Sequence, residues 1–183
     1  WRMCHIQKDI SEMTWDELKN LRLLGTQEPI PLFEDVLRLV NGQVPLIIEL
    51  KVDHGNYNEL CDAADRVLCT YKGDYCIESF HPLAVYWYRK NRKNVVRGQL
   101  SCNFRKTPSH WQAGPLALSH LITNVAARPD FIAYNYEDIQ NWGFFLNHRL
   151  FGAMTVLWTI PNAKDMKILK KLGHTIIFEH FEP

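Results

Sequence analysis

PLIIELK, residues 45–51, decides the fold. Leu46, Ile47 and Ile48 form an unbroken apolar run that ends in two charges, Glu49 and Lys51. That is how a strand covered on both faces reads as it emerges at its C-terminal end. Further short apolar runs, several of them near-continuous rather than alternating, follow at residues 74–80 (DYCIESF), 95–101 (VVRGQLS), 130–136 (DFIAYNY), 153–160 (AMTVLWTI) and 174–179 (HTIIFE).

Helical patterns lie between the strands. Residues 56–72 carry Leu60, Ala63, Ala64, Val67 and Leu68 on one stripe, the spacing of an amphipathic helix. Residues 31–41 place Leu32, Val36, Leu39 and Val40 likewise. Pro31 suits a first helical position, where a missing N–H costs nothing. Thr14 and Glu17 have capping-box spacing. Pro82 opens a helix through Lys93, and Asn162 caps a last one that stops at Gly173. Residues 112–127 and 137–150 are less regular and are read as helical.

Strand then helix, repeated, means parallel strands joined by crossovers. An open nucleotide-binding sheet would show a glycine-rich turn after an early strand, but Gly55, Gly73 and Gly98 are isolated. A full β/α barrel takes about 250 residues. The expectation is therefore an α/β fold, a parallel TIM-type barrel that is incomplete, with about six of eight strands present. The 183 residues are read as one domain. The helices from Thr14 and Pro31 precede the first visible strand and are expected to belong to an earlier unit, its strand upstream of Trp1.

Composition narrows the function. A net charge of +1 creates no broad field for nucleic acid or an anionic membrane. Five cysteines without a CxxC pair argue against a disulfide framework or zinc site. No run approaches the ~20 apolar residues of a membrane helix. A cytoplasmic location is expected.

On a barrel the C-terminal strand ends form the active face. Those ends carry Glu49 and Lys51, Glu78 to His81, Gln99 to Ser101, Asn135 and Tyr136, Trp158 and Thr159, and Glu179 and His180. A carboxylate on a buried strand must be paired or metal-bound, since desolvating a lone charge is costly. Lys51 lies two residues on and shares a side with Glu49. By residue type alone the two are either a structural ion pair or part of a site. Phe80 and Trp158 are either filler or pocket walls. His81 is either an acid–base group or a loop residue with a partner. The cluster from Arg89 to Lys93 reads as a solvated helix end.

The segments PLFEDVLRLVNGQVPLIIELK, YCIESFHPLAVYWYRK, RPDFIAYNY and TVLWTIPNAKDMKILKKLGHTIIFEHFEP, taken in this order, resemble the glycerophosphodiester phosphodiesterase family. The resemblance implies a TIM barrel that hydrolyses small-molecule glycerophosphodiesters to an alcohol and glycerol 3-phosphate with a divalent metal, Mg²⁺ or Ca²⁺. It implies that Glu49 is a metal carboxylate, that Lys51 approaches the phosphate, and that Phe80 and Trp158 lie near the substrate pocket. Ser79 matches the small residue before that phenylalanine. The family's histidine–arginine–glycine motif, its Glu-x-Asp pair and its second catalytic histidine have no counterpart in this sequence, and His5 aligns with a loop position. The catalytic histidine pair is thus not assigned to any residue here. The chain by itself is expected to be inactive and, with open strand edges, poorly soluble. Two rivals stand beside this resemblance: a non-catalytic barrel serving as a binding module, and a phosphoinositide-cleaving lipase.

Overall fold

A computed structural model describes residues 3–53, 55–104, 121–150 and 152–183. Six strands form one sheet in sequence order: β1 (Leu46–Glu49), β2 (Tyr75–Ser79), β3 (Val96–Ser101), β4 (Phe131–Asn135), β5 (Met154–Ile160) and β6 (Thr175–Phe178). Every neighbouring pair is parallel. The sheet curls into part of a TIM-type barrel, open between β1 and β6. Each strand lies within two residues of its expected bounds.

Helices fill the connections. α1 (Trp15–Leu18) and α2 (Phe33–Val40) precede β1, and α3 (Tyr57–Leu68), α4 (Pro82–Asn91), α5 (Asn124–Ala127), α6 (Trp142–Arg149) and α7 (Ala163–Lys171) follow successive strands. The Thr14–Glu17 capping box forms as its spacing predicts, although the helix it opens is a single turn. Asn162 caps α7, and Gly173 takes the left-handed conformation just beyond it. Residues 112–120 of the helix expected at residues 112–127 lie outside the described residues; of the remainder, Asn124–Ala127 form the single turn α5.

Two helical expectations need correction. Pro31 is not the first helical residue: Leu32 is the N-cap and α2 begins at Phe33. Leu37 is its buried residue, Phe33 packs beside it, Val36 and Val40 are partly covered, and Leu39 is turned outward. In α3 the buried set is Cys61, Ala64, Asp65 and Leu68. Asp65 tolerates this position because Arg92 grips both carboxylate oxygens, with Nε donating to Oδ1 over 2.6 Å.

The curled sheet has two sides. Outside, β1 and β2 pack on α3 and α4 through Leu50, Ile77 and Tyr88. Farther round, β4 and β5 pack on α6 and α7 through Tyr134, Leu157, Phe144 and Met166. Inside lies a smaller cluster of Leu100, Phe131, Ala133 and Val156, joined by Cys76, Phe80 and Trp158. Gly98 makes room for it: a Cβ there would lie 2.2 Å from the Phe131 ring.

The edge strands depart from the expected full burial. Ile47 on β1 is half exposed, and Phe178 on β6 is also exposed. Each edge strand has a single neighbour, so its inward face lacks the cover that β2 to β5 receive.

Candidate active site

The strand ends converge as their order requires. Lys51 Nζ lies 2.6 Å from Glu49 Oε2, just beyond the C-terminus of β1. Glu49 is only partly covered, its side chain 30% exposed, and Lys51 is 78% exposed. In this structure Glu49 is thus partly covered rather than buried, with β2 as the strand neighbour of β1 among the described residues. An exposed ion pair of this kind contributes at most about 1 kcal/mol, too little to explain the pair by stability.

Both residues border a cavity of about 470 Å³ at the barrel mouth, with Phe80, Phe104, Asn135 and Trp158 among its walls. Phe80 stands edge-on between Trp158 and Phe104, at 5.7 and 6.0 Å between ring centres. These aromatic contacts give the same cavity an apolar wall. The Trp158 indole N–H is buried without an acceptor among the described residues, and the peptide bond after Trp158 is cis. A larger groove, about 710 Å³, runs between α2 and α3 past Arg38, Arg66 and Tyr71. It includes none of the strand-end residues.

Ser79 and His81 have structural duties. Ser79 is fully buried, donates to the Leu50 carbonyl over 2.6 Å and accepts the His81 N–H at 3.1 Å. His81 caps α4, its Nδ1 accepting the Leu83 N–H, and its ring stacks on Tyr57 at 5.6 Å. Burial holds the His81 pKa below its ordinary value. Of its two possible roles, the partnered residue is the one the geometry displays. Glu179 and His180 are both exposed and meet each other at 3.4 Å, away from the cavity walls.

Two residues gain weight from the structure. Gln99, fully buried, donates through Nε2 to the carbonyls of Ser79, Phe80 and Leu100 at 3.0–3.1 Å. It laces the ends of β2 and β3 together. Glu78 pairs in register with Glu49 and is 6% exposed. Burial, then the Glu49 charge, push its pKa up to about 7, against a smaller opposing pull from Lys51. The available sequence signal is a lone carboxylate within YCIESF, a run covered on both faces.

No group of three or more His, Cys, Asp or Glu residues able to hold a metal occurs among the described residues. The carboxylates of Glu49 and Glu78 nevertheless fit a hard cation: Mg²⁺ is commonly held by one or two carboxylates plus substrate phosphate oxygens. An orphaned, buried Glu78 Oε2 supports that fit. Among the described residues no helix is long and apolar enough to cross a membrane.

A parallel β/α barrel with a polar and aromatic mouth is the class these features define. No family model and no curated protein matches the sequence. Solved structures do match the fold. A glycerophosphodiester phosphodiesterase from Parabacteroides distasonis superposes with a TM-score of 0.74 at 19% identity, over 94% of this chain and 70% of that one. An Oleispira antarctica phosphodiesterase in complex with the product sn-glycerol-3-phosphate gives 0.72 at 19% identity, over 92% and 67%. A glycerophosphodiester phosphodiesterase from Agrobacterium tumefaciens gives 0.60 at 15% identity, over 97% and 73%. The chain has the fold of the glycerophosphodiester phosphodiesterases.

Proposed function

We propose that the complete protein hydrolyses glycerophosphodiesters to an alcohol and glycerol 3-phosphate, with Mg²⁺ or Ca²⁺ as cofactor. The observation that carries this is that Glu49 and Lys51 share one cavity at the strand ends with the aromatic side chains of Phe80 and Trp158. A phosphodiester presents both chemistries: an anionic phosphorus centre and carbon-rich arms. The shared fold, and the glycerol phosphate product bound to one of its neighbours, support the same substrate class.

Each residue then has a task. Glu49 would hold the cation; when bound, the cation supplies positive charge to the phosphoryl oxygens. Lys51 sets an ammonium against a non-bridging oxygen, where negative charge grows in the transition state. Phe80 and Trp158 exclude water along the glycerol and alcohol arms, and the Trp158 N–H offers a donor to a substrate oxygen. Proton transfer to the leaving alcohol and from the attacking water needs an acid and a base. His81, whose Nδ1 is engaged as a helix cap, is the only histidine among the described cavity walls. The activity proposed is accordingly that of the complete protein.

Hydrolysis of glycerophosphocholine with Mg²⁺ or Ca²⁺ tests the proposal. Glu49→Gln is expected to lower turnover by about 100-fold or more. Absence of turnover by the complete protein would overturn the proposal and favour a binding module. A cyclic phosphate product from an inositol lipid would replace it with the lipase reading.

A further inference from the structure

We infer that Glu78 is a second carboxylate ligand of the divalent cation held at Glu49. The inference rests on the phosphodiesterase proposal for where the cation sits, and on independent geometry for the residue itself.

Register is the first observation. β1 and β2 are parallel and place Glu49 opposite Glu78. Register partners on neighbouring strands project from the same face of the sheet, with backbones about 4.8 Å apart. One cation can therefore face both carboxylates without either strand moving.

The second observation is an absence of partners. Three acidic residues are buried in the described structure: Asp65, Glu78 and Asp138. Asp65 is held by Arg92, and Asp138 accepts the Asn103 N–H at 2.8 Å. Glu78 Oε2 alone among them is sealed from solvent with no donor among the described residues. Its neighbours explain why. Cys76 and Phe80 flank it two residues away on the same face, and both belong to the apolar inner cluster. Across the sheet its partner on β3 is Gly98, which has no side chain, and the Phe131 ring fills that space. The nearby ammonium, Lys51, is bonded to Glu49.

A buried carboxylate oxygen with no donor to meet it is expensive. A central strand position two residues from Phe80 would be better served by valine or leucine if packing were its purpose. The donor chemistry is also selective. Two carboxylate oxygen sets suit a hard cation such as Mg²⁺, Ca²⁺ or Mn²⁺, with water and substrate phosphate oxygens completing the shell.

Metal affinity, rather than turnover, is the deciding measurement. Full-length wild type, Glu49→Gln and Glu78→Gln are titrated with Mg²⁺, Ca²⁺ and Mn²⁺ by calorimetry, and Tm is recorded with and without metal. Glu78→Gln is isosteric and removes a buried charge, so its metal-free Tm is expected to equal or exceed that of wild type. Its metal Kd is expected to rise at least about tenfold, and the Tm increase on adding metal is expected to shrink. Glu78→Asp keeps the charge on a shorter arm and should fall between the two, which guards against a folding artefact. A Kd within twofold of wild type for Glu78→Gln, while Glu49→Gln weakens binding, overturns this inference and leaves the phosphodiesterase proposal standing. If wild type binds no divalent cation, or Glu49→Gln binds as wild type does, the metal-dependent proposal fails together with it.

Discussion

Ser79 Oγ donates a 2.6 Å hydrogen bond to the carbonyl oxygen of Leu50, the residue between Glu49 and Lys51. The tip of β1 has one neighbouring strand, so this bond replaces part of the support an interior strand receives from two sides. Gln99 extends the same support by donating to the carbonyl of Ser79 itself. The two charges at the rim are thus held from behind by buried, uncharged groups on β2 and β3. Catalytic side chains work best when their neighbours fix them within fractions of an ångström.

Ser79→Ala should separate positioning from chemistry. It leaves the Leu50 carbonyl and the His81 N–H without this partner, at a cost of about 1–3 kcal/mol for buried groups. Urea unfolding should show that loss. In glycerophosphocholine hydrolysis the kcat should fall more than KM rises, because Ser79 touches no substrate atom in the proposed arrangement. Kinetics identical to wild type, alongside the lost stability, would make Ser79 a purely structural residue.

Gly98→Ala should destabilise the inner face of the barrel. The added Cβ would meet Phe131 at 2.2 Å, and Phe131 is buried with little room to retreat. Overpacking of this kind costs about 1–3 kcal/mol. Phe131→Leu should recover part of that loss in the double variant, giving a coupling energy of opposite sign to the single effects. Additive single and double variants would show that the two positions do not compete for the same space.

The inner and outer faces were not equally legible in the sequence. Short apolar runs mark all six strands, and several are near-continuous because a parallel sheet is clad on both sides. Caps were legible where a side chain makes the cap, as at Thr14 and Asn162. Pro31 misleads by two residues, because the first helical position, Phe33, is defined only by the N-cap Leu32. Edge status is a tertiary property. The runs LIIE and YCIES look alike, yet the first leaves Glu49 partly in water and the second seals Glu78 away. Local pattern cannot tell these two carboxylates apart, and only the strand order does. Gln99 was similarly hidden, because its value lies in three carbonyls contributed by two strands.

Stability should depend on pH through His174, on the side of the barrel away from the mouth. Its Nδ1 is 2.7 Å from Thr155 Oγ1, and its ring lies 4.6 Å from that of His148 and 5.9 Å from Phe144. Burial, then the positive charges available to His148 and Arg149, hold the His174 pKa below its ordinary value. The unfolded chain therefore binds this proton more readily than the folded one. The stabilising contribution is full above the unfolded value of about 6.5 and is lost as pH falls through it toward the lower folded value. The measurement is ΔG of unfolding from pH 8 to 5 for wild type and His174→Asn. Glu78, with its raised pKa, contributes with the opposite sign over an overlapping range in both proteins, so only their difference reports His174. A difference that does not change below pH 6.5 would remove His174 from the account.

Lys51→Met decides whether the rim charges serve chemistry or structure. The pair with Glu49 is short, but the lysine side chain is 78% exposed, so solvent screens most of its attraction. Its removal should change the unfolding free energy by no more than an exposed pair is worth, at most about 1 kcal/mol. If the ammonium faces the phosphate, the loss appears instead in the transition state, where charge on the non-bridging oxygens is greatest. Turnover of glycerophosphocholine should then fall by about 100-fold or more. Divalent-metal affinity should change little, because lysine donates nothing to a cation and its departure frees a Glu49 oxygen. Lys51→Arg should restore part of the activity, since a guanidinium also binds phosphate oxygens. Unchanged kinetics with an unchanged Tm would show that Lys51 merely accompanies Glu49, and the phosphate contact would have to be sought elsewhere on the cavity rim.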